Sequence, residues 1–349
     1  MYKKLIRPLL FSFDPEKVHH FAIGSLKFLF SIPLLGKVVA NYATVNDKRL
    51  ERELFGFMFP NPVGIAAGFD KNATSFNELG KLGFGFVEIG TVTPKGQPGN
   101  SKPRLFRLPG DHALINRMGF NNNGLNSAVE NLKNRKGNLI IGGNLGKNTA
   151  TPNSKAVNDY LTLFEGLFDY VDYFTVNVSC PNISDLRELQ DQAALLEILN
   201  SLQAVNQKKA NPKPILLKVS PDLNEKQLDE VIEVVAQTHI DGVVAVNTTI
   251  SRAGLTTDKE PVNRIGKGGL SGKPIKDRST EVIRYLAKKS KKAFPIIGVG
   301  GIFTPQDALE KLNAGADLVQ VYTGFIYEGP FIARKINKQL LKELEGQSR

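Results

Sequence analysis

The chain has 349 residues, enough for one large α/β barrel or two ordinary domains, and 41% hydrophobic content without a low-complexity tract excludes a disordered protein. A single cysteine excludes an intrachain disulfide and is typical of a reducing compartment. The formal net charge of +11 fits an anionic membrane surface, a nucleic acid, anionic substrates or plain surface charge, so it excludes none of them. The four histidines, His19, His20, His112 and His239, lack metal-ligand spacing, which predicts no structural zinc.

The first forty residues mix basic and apolar side chains at helical spacing. Asp14 followed by Pro15 is a favourable helix start, which predicts one short helix before Asp14 and a second from Pro15 to about Phe30. No apolar run approaches the roughly 20 residues that a membrane span needs, and no secretory cleavage pattern follows. We predict that residues 1–40 lie on a membrane or cap a groove. A helical pair packed on the rest of the chain is an equally open alternative.

From Pro62 onward, apolar runs of strand length alternate with helix-patterned stretches. The predicted strands are Val63–Ala67, Phe86–Gly90, Leu139–Gly143, Tyr173–Val178, Ile215–Val219, Gly242–Val246, Pro295–Val299 and Leu318–Val321. Helices are predicted at about Ala73–Lys81, Asn123–Asn134, Ala156–Phe168, Gln190–Lys208, Glu225–Gln237, Asp277–Lys292, Pro305–Asn313 and Pro330–Glu343. Eight such units predict that residues 41–349 form a (β/α)8 TIM barrel. A doubly wound sheet is the alternative, but it usually has fewer strands and a switch point.

Polar residues and glycines follow nearly every predicted strand. They are Asp70, Lys71, Thr91, Asn144, Asn177, Cys180, Asn182, Lys218, Asn247, Thr248, Gly300, Gly301, Tyr322 and Thr323. In a closed barrel the carboxyl ends of all strands face one mouth, where barrel enzymes hold their active sites. Each residue alone could be a cap or a turn residue, but so many together predict a site at this mouth.

The fourth predicted strand carries the most specific polar cluster, in which Asn177 and Asn182 flank Cys180. Pro181 cannot continue a strand, so these side chains are expected at a strand end. The functional interpretation is a base or nucleophile among amide groups that could hold a flat, amide-rich ligand. A buried small apolar residue is the alternative and is the more common fate of a lone cysteine.

The last two predicted strands are followed by Gly298-Val-Gly-Gly and Tyr322-Thr-Gly-Phe. Barrel enzymes commonly bind phosphate here, through loop amides and a helix N-terminus. The glycines lack the strand-one position of a dinucleotide fingerprint. The pattern therefore indicates a phosphate site without indicating a Rossmann fold.

Two long excursions interrupt the alternation, Thr93–Asn122 after the second strand and Ser251–Pro274 after the sixth. The first contains Arg104, Arg107 and a run of amides, and the second is rich in glycine. Long loops at a barrel mouth usually form lids or contact ligands, although plain surface loops are the alternative.

Seven motifs, taken in this order, resemble those of the dihydroorotate dehydrogenase family over essentially the whole chain. They are Ala66-Ala-Gly-Phe-Asp-Lys, Glu88-Ile-Gly-Thr-Val-Thr-Pro, Asn116-Arg-Met-Gly-Phe-Asn, Asn177-Val-Ser-Cys-Pro-Asn, Gly268-Gly-Leu-Ser-Gly, Ile297-Gly-Val-Gly-Gly-Ile and Tyr322-Thr-Gly-Phe. In addition, Phe13-Asp-Pro-Glu with His19, and Phe106-Arg-Leu-Pro, are similar to the membrane-associated class 2 members that reduce quinone. Class 1 members lack this amino-terminal extension.

The resemblance implies an FMN-containing enzyme that oxidises dihydroorotate to orotate in pyrimidine (UMP) biosynthesis and is reoxidised by a membrane quinone. The FMN contacts it implies are Ala67, Gly68, Phe69, Asp70, Lys71, Thr91, Asn144, Asn177, Lys218, Val246, Gly272, Gly301, Tyr322 and Thr323. The substrate contacts it implies are Lys71, Asn116, Arg117, Met118, Gly119, Phe120, Asn177, Asn182, Asn247 and Thr248. The quinone-site residues it implies are His19, Arg107 and Tyr322. Without the resemblance, His19 would be interpreted as a helix-surface residue and Arg107 as a carboxylate partner.

The chain departs from the class 2 pattern at Cys180, because class 2 members usually carry a serine as the catalytic base. By resemblance, Cys180 removes the ring C5 proton while a hydride leaves C6 for flavin N5. A free thiol has a pKa of about 8.5, so cysteine is competent as a base. The cysteine is typical of class 1, and a soluble class 1 enzyme that uses fumarate or NAD is therefore an alternative.

The class 2 resemblance also implies a peripheral protein on the cytoplasmic side of the cell membrane, held by anionic lipids, with no nucleic-acid partner. A tRNA dihydrouridine synthase would explain the positive charge, but no RNA-binding appendage follows the predicted barrel. A phosphate-binding barrel without catalytic activity is a further alternative.

Overall fold

The computed structural model describes residues 2–179 and 192–347. Within them the strands are β1 (Arg52–Leu54), β2 (Phe57–Phe59), β3 (Val63–Asp70), β4 (Phe86–Val92), β5 (Lys95–Gln97), β6 (Leu105–Leu108), β7 (Ala113–Asn116), β8 (Asn122–Gly124), β9 (Ile140–Leu145), β10 (Tyr173–Asn177), β11 (Ile215–Val219), β12 (Gly242–Ala245), β13 (Gly269–Gly272), β14 (Ile296–Val299) and β15 (Leu318–Val321). The helices are α1 (Arg7–Phe11), α2 (Pro15–Ser31), α3 (Pro33–Ala43), α4 (Phe76–Gly80), α5 (Leu125–Leu132), α6 (Ala156–Leu167), α7 (Gln192–Asn206), α8 (Glu225–Thr238), α9 (Lys259–Ile265), α10 (Lys276–Lys289), α11 (Pro305–Asn313), α12 (Thr323–Glu328) and α13 (Ile332–Gln347).

Eight parallel strands close into a barrel in the order β3-β4-β9-β10-β11-β12-β14-β15, and β15 pairs back onto β3. This confirms the predicted TIM barrel. β11 and β15 have the predicted bounds, whereas β3 runs on to Asp70 instead of ending at Ala67. The strands form from nearly continuous apolar runs because a parallel barrel buries both faces of each strand.

The barrel interior is filled at its amino-terminal end. Phe59, Phe86, Tyr173, Leu216 and Val244 form one buried cluster there, and the β1–β2 hairpin packs against it. A larger apolar core lies between the strands and the surrounding helices. The packed lower barrel therefore leaves the carboxyl-terminal mouth as the place for a ligand.

The helix starts follow from local capping chemistry. Asn224 and Gln227 form a capping box at α8, and Thr304 and Asp307 form one at α11. α4 starts at Phe76, three residues after the predicted Ala73, because the Asp70 carboxylate holds the preceding turn through the Thr74 and Ser75 amides. Most other predicted helices differ from the observed bounds by only a few residues at their ends.

The amino-terminal segment contains more helix than predicted. Asp14 Oδ1 accepts a hydrogen bond from the Lys17 amide at 2.9 Å, as its capping position predicts. The two predicted helices are confirmed as α1 and α2, but a further helix that was not predicted, α3, begins at Pro33 and runs to Ala43, past the predicted division at residue 40. Proline removes an amide donor but is well tolerated in a first helical turn, so Pro33 ends one helix and begins the next. Of the helices described, none alone is long and apolar enough to cross a membrane; α2 and α3 together pass that test, but with a 109° bend between them.

The two long excursions pair with each other above the barrel. β6, β7 and β13 form an antiparallel sheet, in which Asn116 of β7 lies opposite Gly269 of β13. β5 pairs with β8, and α9 lies within the second excursion. The excursions are therefore ordered covers of the mouth, which the sequence patterns did not predict in this detail.

Candidate active site at the mouth of the barrel

A cleft opens at the carboxyl ends of the barrel strands and encloses about 1000 Å³, part of it open to solvent. The predicted cofactor residues that line it are Ala67, Gly68, Lys71, Thr91, Asn177, Lys218, Val246, Gly272, Gly301, Tyr322 and Thr323. The predicted substrate residues that line it are Lys71, Asn116, Met118, Gly119, Phe120, Asn177, Asn247 and Thr248. Apolar walls with a few convergent polar groups are typical of a small-molecule binding site.

One wall of the cleft is a network of amide and hydroxyl groups. Thr91 Oγ1 donates to Asn144 Oδ1 at 2.6 Å, and Asn177 Nδ2 lies 3.0 Å from Thr91 Oγ1 and 3.3 Å from Asn144 Oδ1. Asn144 is fully buried and is not among the lining residues, so it supports the wall from behind. The network fixes the rotamers of Thr91 and Asn177, which do line the cleft.

Glu88 is a buried carboxylate beneath this wall that the sequence analysis did not single out. It accepts hydrogen bonds from Asn144 Nδ2 at 2.8 Å, from Gln320 Nε2 at 2.7 Å and from the Tyr173 hydroxyl at 3.3 Å. Burial and the adjacent Glu88 raise the pKa of Tyr173 well above its ordinary value, so its hydroxyl stays a donor. The sequence signal for Glu88 is a charged residue inside an otherwise apolar predicted strand, as in Phe86-Val-Glu-Ile.

Gln320 is fully buried and lines the floor of the cleft. Its amide nitrogen is used by Glu88, but its oxygen Oε1 is buried without a hydrogen-bond partner among the described residues. A buried amide oxygen without a partner is costly, and a bound ligand with an N–H group would satisfy it.

Glycines line the side of the cleft formed by the ends of β13, β14 and β15. A Cβ atom at Gly301, whose φ is 71°, would overlap the Lys276 backbone, and one at Gly324 would overlap the Ile302 carbonyl oxygen. The Ser271 and Thr323 hydroxyls lie 2.8 Å apart at this edge. The glycines, the two hydroxyl groups and the start of the short helix α12 at Thr323 therefore lie together at the edge where the sequence predicts a phosphate site, which stays a prediction.

The loop that follows β7 supplies Asn116, Met118, Gly119 and Phe120 to the cleft. Arg117 is not among the lining residues, because its guanidinium donates to the Ile265 and Pro103 carbonyl oxygens. Arg117 therefore holds the loop to its neighbours, and its predicted substrate contact stays a prediction.

Cys180 and Asn182 lie outside the described residues, so their predicted roles stay predictions. The strand end just before them is described. Asn247 Nδ2 donates to Asn177 Oδ1 at 3.2 Å and to Ser179 Oγ at 3.0 Å. Asn177 is also in register with Lys218 of β11, so the ends of three strands meet at this rim.

Phe69 and Asp70, both predicted as cofactor contacts, are not among the lining residues. The Asp70 carboxylate caps the turn before α4. Phe69 packs between His19 and Tyr322, with ring centroids 5.0 Å and 5.8 Å away. The aromatic row thus leads from α2 to Tyr322 at the cleft.

The environment of His19 keeps it neutral. Burial, followed by the positive charges of Lys71 and His20, lowers the pKa of His19 to about 4. Burial likewise raises the pKa of Tyr322 to about 12, so both groups are uncharged at neutral pH. Arg107, in β6, contacts the amino-terminal segment between α1 and α2. It donates to the Phe13 carbonyl oxygen at 2.6 Å, and its guanidinium lies 4.6 Å from the centroid of the Phe11 ring.

The helices that lead away from this aromatic row expose large apolar side chains. Phe28 is 70% exposed and Leu34 is 78% exposed, and Leu5, Leu9, Phe13 and Phe21 are also exposed. So many large apolar side chains exposed on one segment indicate an interaction surface. Among the described residues, no cluster of three histidine, cysteine, aspartate or glutamate side chains could hold a metal ion.

Comparison with known proteins gives a consistent result. The family model described as dihydroorotate dehydrogenase matches residues 49–344. A dihydroorotate dehydrogenase (quinone) from Christiangramia forsetii is 60% identical over 343 residues, covering 98% of this chain and 99% of the relative. One from Nostoc punctiforme is 48% identical and covers 99% of this chain and 94% of the relative. A crystal structure of DHODH from Eimeria tenella in complex with ferulenol superposes with a TM-score of 0.84 at 33% identity, covering 96% of this chain and 93% of that one.

Proposed function

The chain belongs to the dihydroorotate dehydrogenase family and oxidises dihydroorotate to orotate in pyrimidine biosynthesis with quinone as electron acceptor, and we propose that FMN and Cys180 carry out this reaction at the mouth of the barrel. The observation that supports the proposal best is the convergence of Thr91, Asn177, Lys218 and Asn247 on one cleft. These residues come from four separate strands or strand ends, whose parallel order places all of them at the same mouth of the barrel.

The cleft fits FMN in two respects. The unpartnered oxygen of Gln320 can accept a hydrogen bond at the cleft floor, and the imide N–H of a flavin ring could donate it. The glycines at positions 272, 300 and 301 leave room at the edge for the phosphate group, beside Thr323. When bound, FMN would accept a hydride from dihydroorotate and deliver the electrons to quinone.

The predicted cofactor residues that line the cleft would contact FMN directly. Asn144, behind them, would hold Thr91 and Asn177 in place. Lys218 is buried and lines the cleft, where its ammonium group would stabilise negative charge on the ring. Phe69 and Asp70 would act indirectly, through the aromatic row and the turn before α4. The flavin contacts of these individual residues are part of the proposal.

Dihydroorotate would lie against the asparagines of the rim. Asn116, Asn177 and Asn247 line the cleft, and Asn182 belongs to the segment beyond β10. Their amide groups match the donors and acceptors of a dihydropyrimidine ring, and Lys71 would pair with the substrate carboxylate. Arg117 would contribute by holding the Asn116–Phe120 loop in place.

Cys180 would remove the C5 proton of the substrate. The residue follows a strand end that is fixed by hydrogen bonds between Asn247 and both Asn177 and Ser179. A free thiol has a pKa of about 8.5, so its thiolate forms easily enough to serve as the base without a strong helper.

Quinone would approach from the amino-terminal helices. The row of His19, Phe69 and Tyr322 connects the exposed apolar face of α2 with the cleft. Arg107 would face the outer part of this route. The exposed apolar side chains and the net charge of +11 support peripheral attachment to an anionic membrane, on its cytoplasmic side.

A direct test is a flavin analysis and a reductive titration of the purified protein. We expect bound FMN that bleaches when dihydroorotate is added in the absence of oxygen. Protein that contains no flavin after gentle purification, or flavin that dihydroorotate does not reduce, would contradict the proposal.

A further inference from the structure

An ion pair joins the amino-terminal helix α2 to the first excursion. Arg104 donates from Nε to Glu16 Oε2 at 3.1 Å and from Nη2 to Glu16 Oε1 at 2.7 Å, and both residues are only 7% exposed. The hydrogen bond from Arg104 lowers the pKa of Glu16, so the pair stays charged at neutral pH. A buried pair adds little net stability because desolvation offsets the attraction, but its paired hydrogen bonds fix one relative placement of the two elements.

The same guanidinium reaches the turn at residues 98–100. Nη1 of Arg104 donates to the Pro98 carbonyl oxygen at 2.5 Å and to the Asn100 carbonyl oxygen at 3.0 Å. One planar group therefore binds α2 on one side and this turn on the other. A displacement of Glu16 would pull on the turn through a rigid fork of donors.

Hydrogen bonds also join this turn to the Asn116–Phe120 loop, which lines the cleft. The Asn100 backbone amide donates to the Met118 carbonyl oxygen at 3.1 Å, and Asn100 Nδ2 donates to the Arg117 carbonyl oxygen at 2.9 Å. A Cβ atom at Gly99 would overlap the Met118 carbonyl oxygen, so the two segments are in close contact. Met118 and its neighbour Gly119 line the cleft.

We propose that Glu16 and Arg104 are positioning residues for the dihydroorotate site. Their ion pair holds the turn at 98–100 against α2, the helix on the proposed quinone side, and this turn fixes the position of the Asn116–Phe120 loop. The inference rests on the proposed function, because it takes this loop as part of the substrate site. A continuous series of hydrogen bonds connects α2 with the loop of the proposed substrate site. In this arrangement α2 acts on the substrate only through that loop.

The test measures orotate binding to the oxidised holoenzyme, followed by the change in flavin absorbance, with no quinone present. Glu16→Gln removes the charge of the ion pair, and Asn100→Ala, at an exposed residue, removes the side-chain hydrogen bond from the turn to the Arg117 carbonyl oxygen without touching α2. We expect each to raise the orotate Kd by about 5- to 20-fold. The double variant should be weakened less than the product of the two single effects, because both act on one path.

Lys102→Gln is the matched control. The Lys102 ammonium also lies 3.5 Å from Glu16, but its side chain is 66% exposed, so its removal should leave the orotate Kd unchanged. The inference is overturned if Glu16→Gln and Asn100→Ala leave the orotate Kd at the Lys102→Gln value, even if the KM for quinone rises or the thermal stability falls. In that case the ion pair only docks the helix. If Glu16→Gln does not fold, Arg104→Lys takes its place, because a lysine keeps the charge opposite Glu16 but cannot bind α2 and the turn at once; an orotate Kd equal to that of Lys102→Gln then overturns the inference.

A failure of the proposed function gives a different result. Wild-type holoenzyme that binds no orotate, or whose flavin dihydroorotate does not reduce, removes the substrate site itself and the inference with it. Normal wild-type binding with unaffected variants overturns the inference alone.

Discussion

The Asn247 side chain donates to Asn177 Oδ1 at 3.2 Å and so ties the end of β12 to the end of β10 across the mouth of the barrel. The same amide nitrogen lies 3.0 Å from the Oγ atom of Ser179, which is the last residue described before Cys180. The strand end that leads into the proposed base is therefore held by a neighbouring strand. This arrangement is what allows a short polar segment to act at a defined place.

Replacement of Cys180 tests the proposed base. Cys180→Ala should retain FMN and bind orotate but lose about 10²- to 10⁴-fold in the rate of flavin reduction by dihydroorotate. The measurement is anaerobic stopped-flow flavin reduction. Cys180→Ser should restore part of the rate, and the gain should grow with pH, because a hydroxyl is a far weaker acid than a thiol. Full activity of Cys180→Ala would remove this residue from the base role.

Gln320 tests how the cleft holds the flavin. Gln320→Leu removes the unpartnered oxygen at the cleft floor and should raise the FMN Kd of the apoprotein by about 5-fold, since one hydrogen bond is worth roughly 1 kcal/mol. Flavin fluorescence titration measures it. Gln339→Leu, at a partly exposed residue of α13, is the control and should bind FMN like wild type. Equal FMN affinity of the two variants would show that Gln320 makes no contact with the ring.

His19 gives the protein a defined pH dependence of stability. Its pKa is about 4 in the folded chain and near 6.5 when unfolded, because burial and Lys71 oppose its charge. Between these values only the unfolded state takes up the proton, so falling pH favours unfolding by up to about 3 kcal/mol from this residue.

Denaturant titrations at several pH values check this expectation. His19→Phe should lose the added destabilisation between pH 6.5 and pH 4, whereas the control His20→Gln, at an exposed ring, should keep it. Identical pH dependence in wild type and His19→Phe would contradict the assigned environment of His19. The neutral ring also predicts that reoxidation by quinone shows no step near pH 6.5.

Exposed apolar residues of α2 and α3 test membrane attachment. Phe28→Ser together with Leu34→Ser should weaken binding to anionic vesicles by about 10-fold or more, while flavin reduction by dihydroorotate stays normal. Substitution is preferable to deletion, because Ile23, Leu26 and Phe30 of α2 pack on the barrel core. Met58→Ser, at an exposed site on the β1–β2 hairpin, is the control. Equal vesicle binding of all variants would contradict attachment through these helices.

The barrel could be predicted from sequence because each strand is a nearly continuous apolar run and its helix follows in a repeated order. β11 and β15 have the predicted bounds for this reason. Periodicity reports burial along the chain, and a parallel barrel buries all its strands in the same way. The polar strand ends then had to converge once the sheet closed.

Other features depend on contacts that no local pattern contains. The β7–β13 pairing joins residues about 150 positions apart, as Asn116 opposite Gly269 shows, and it turned two predicted loops into a sheet. Glu88 gains its importance only from Asn144, Tyr173 and Gln320, which come from three other strands. α3 was not predicted, because proline and glycine usually interrupt a helix, whereas Pro33 lies in the first turn of α3 and Gly36 packs closely on Phe30.

The reoxidation of dihydroorotate-reduced enzyme tests the central claim most directly. A soluble quinone analogue and fumarate are mixed separately with the reduced protein, and the return of flavin absorbance is followed by stopped flow. We predict that the quinone analogue reoxidises the flavin faster than fumarate does, and that His19→Phe slows only the quinone reaction. Faster reoxidation by fumarate, with quinone inert, would contradict the assignment of quinone as the electron acceptor.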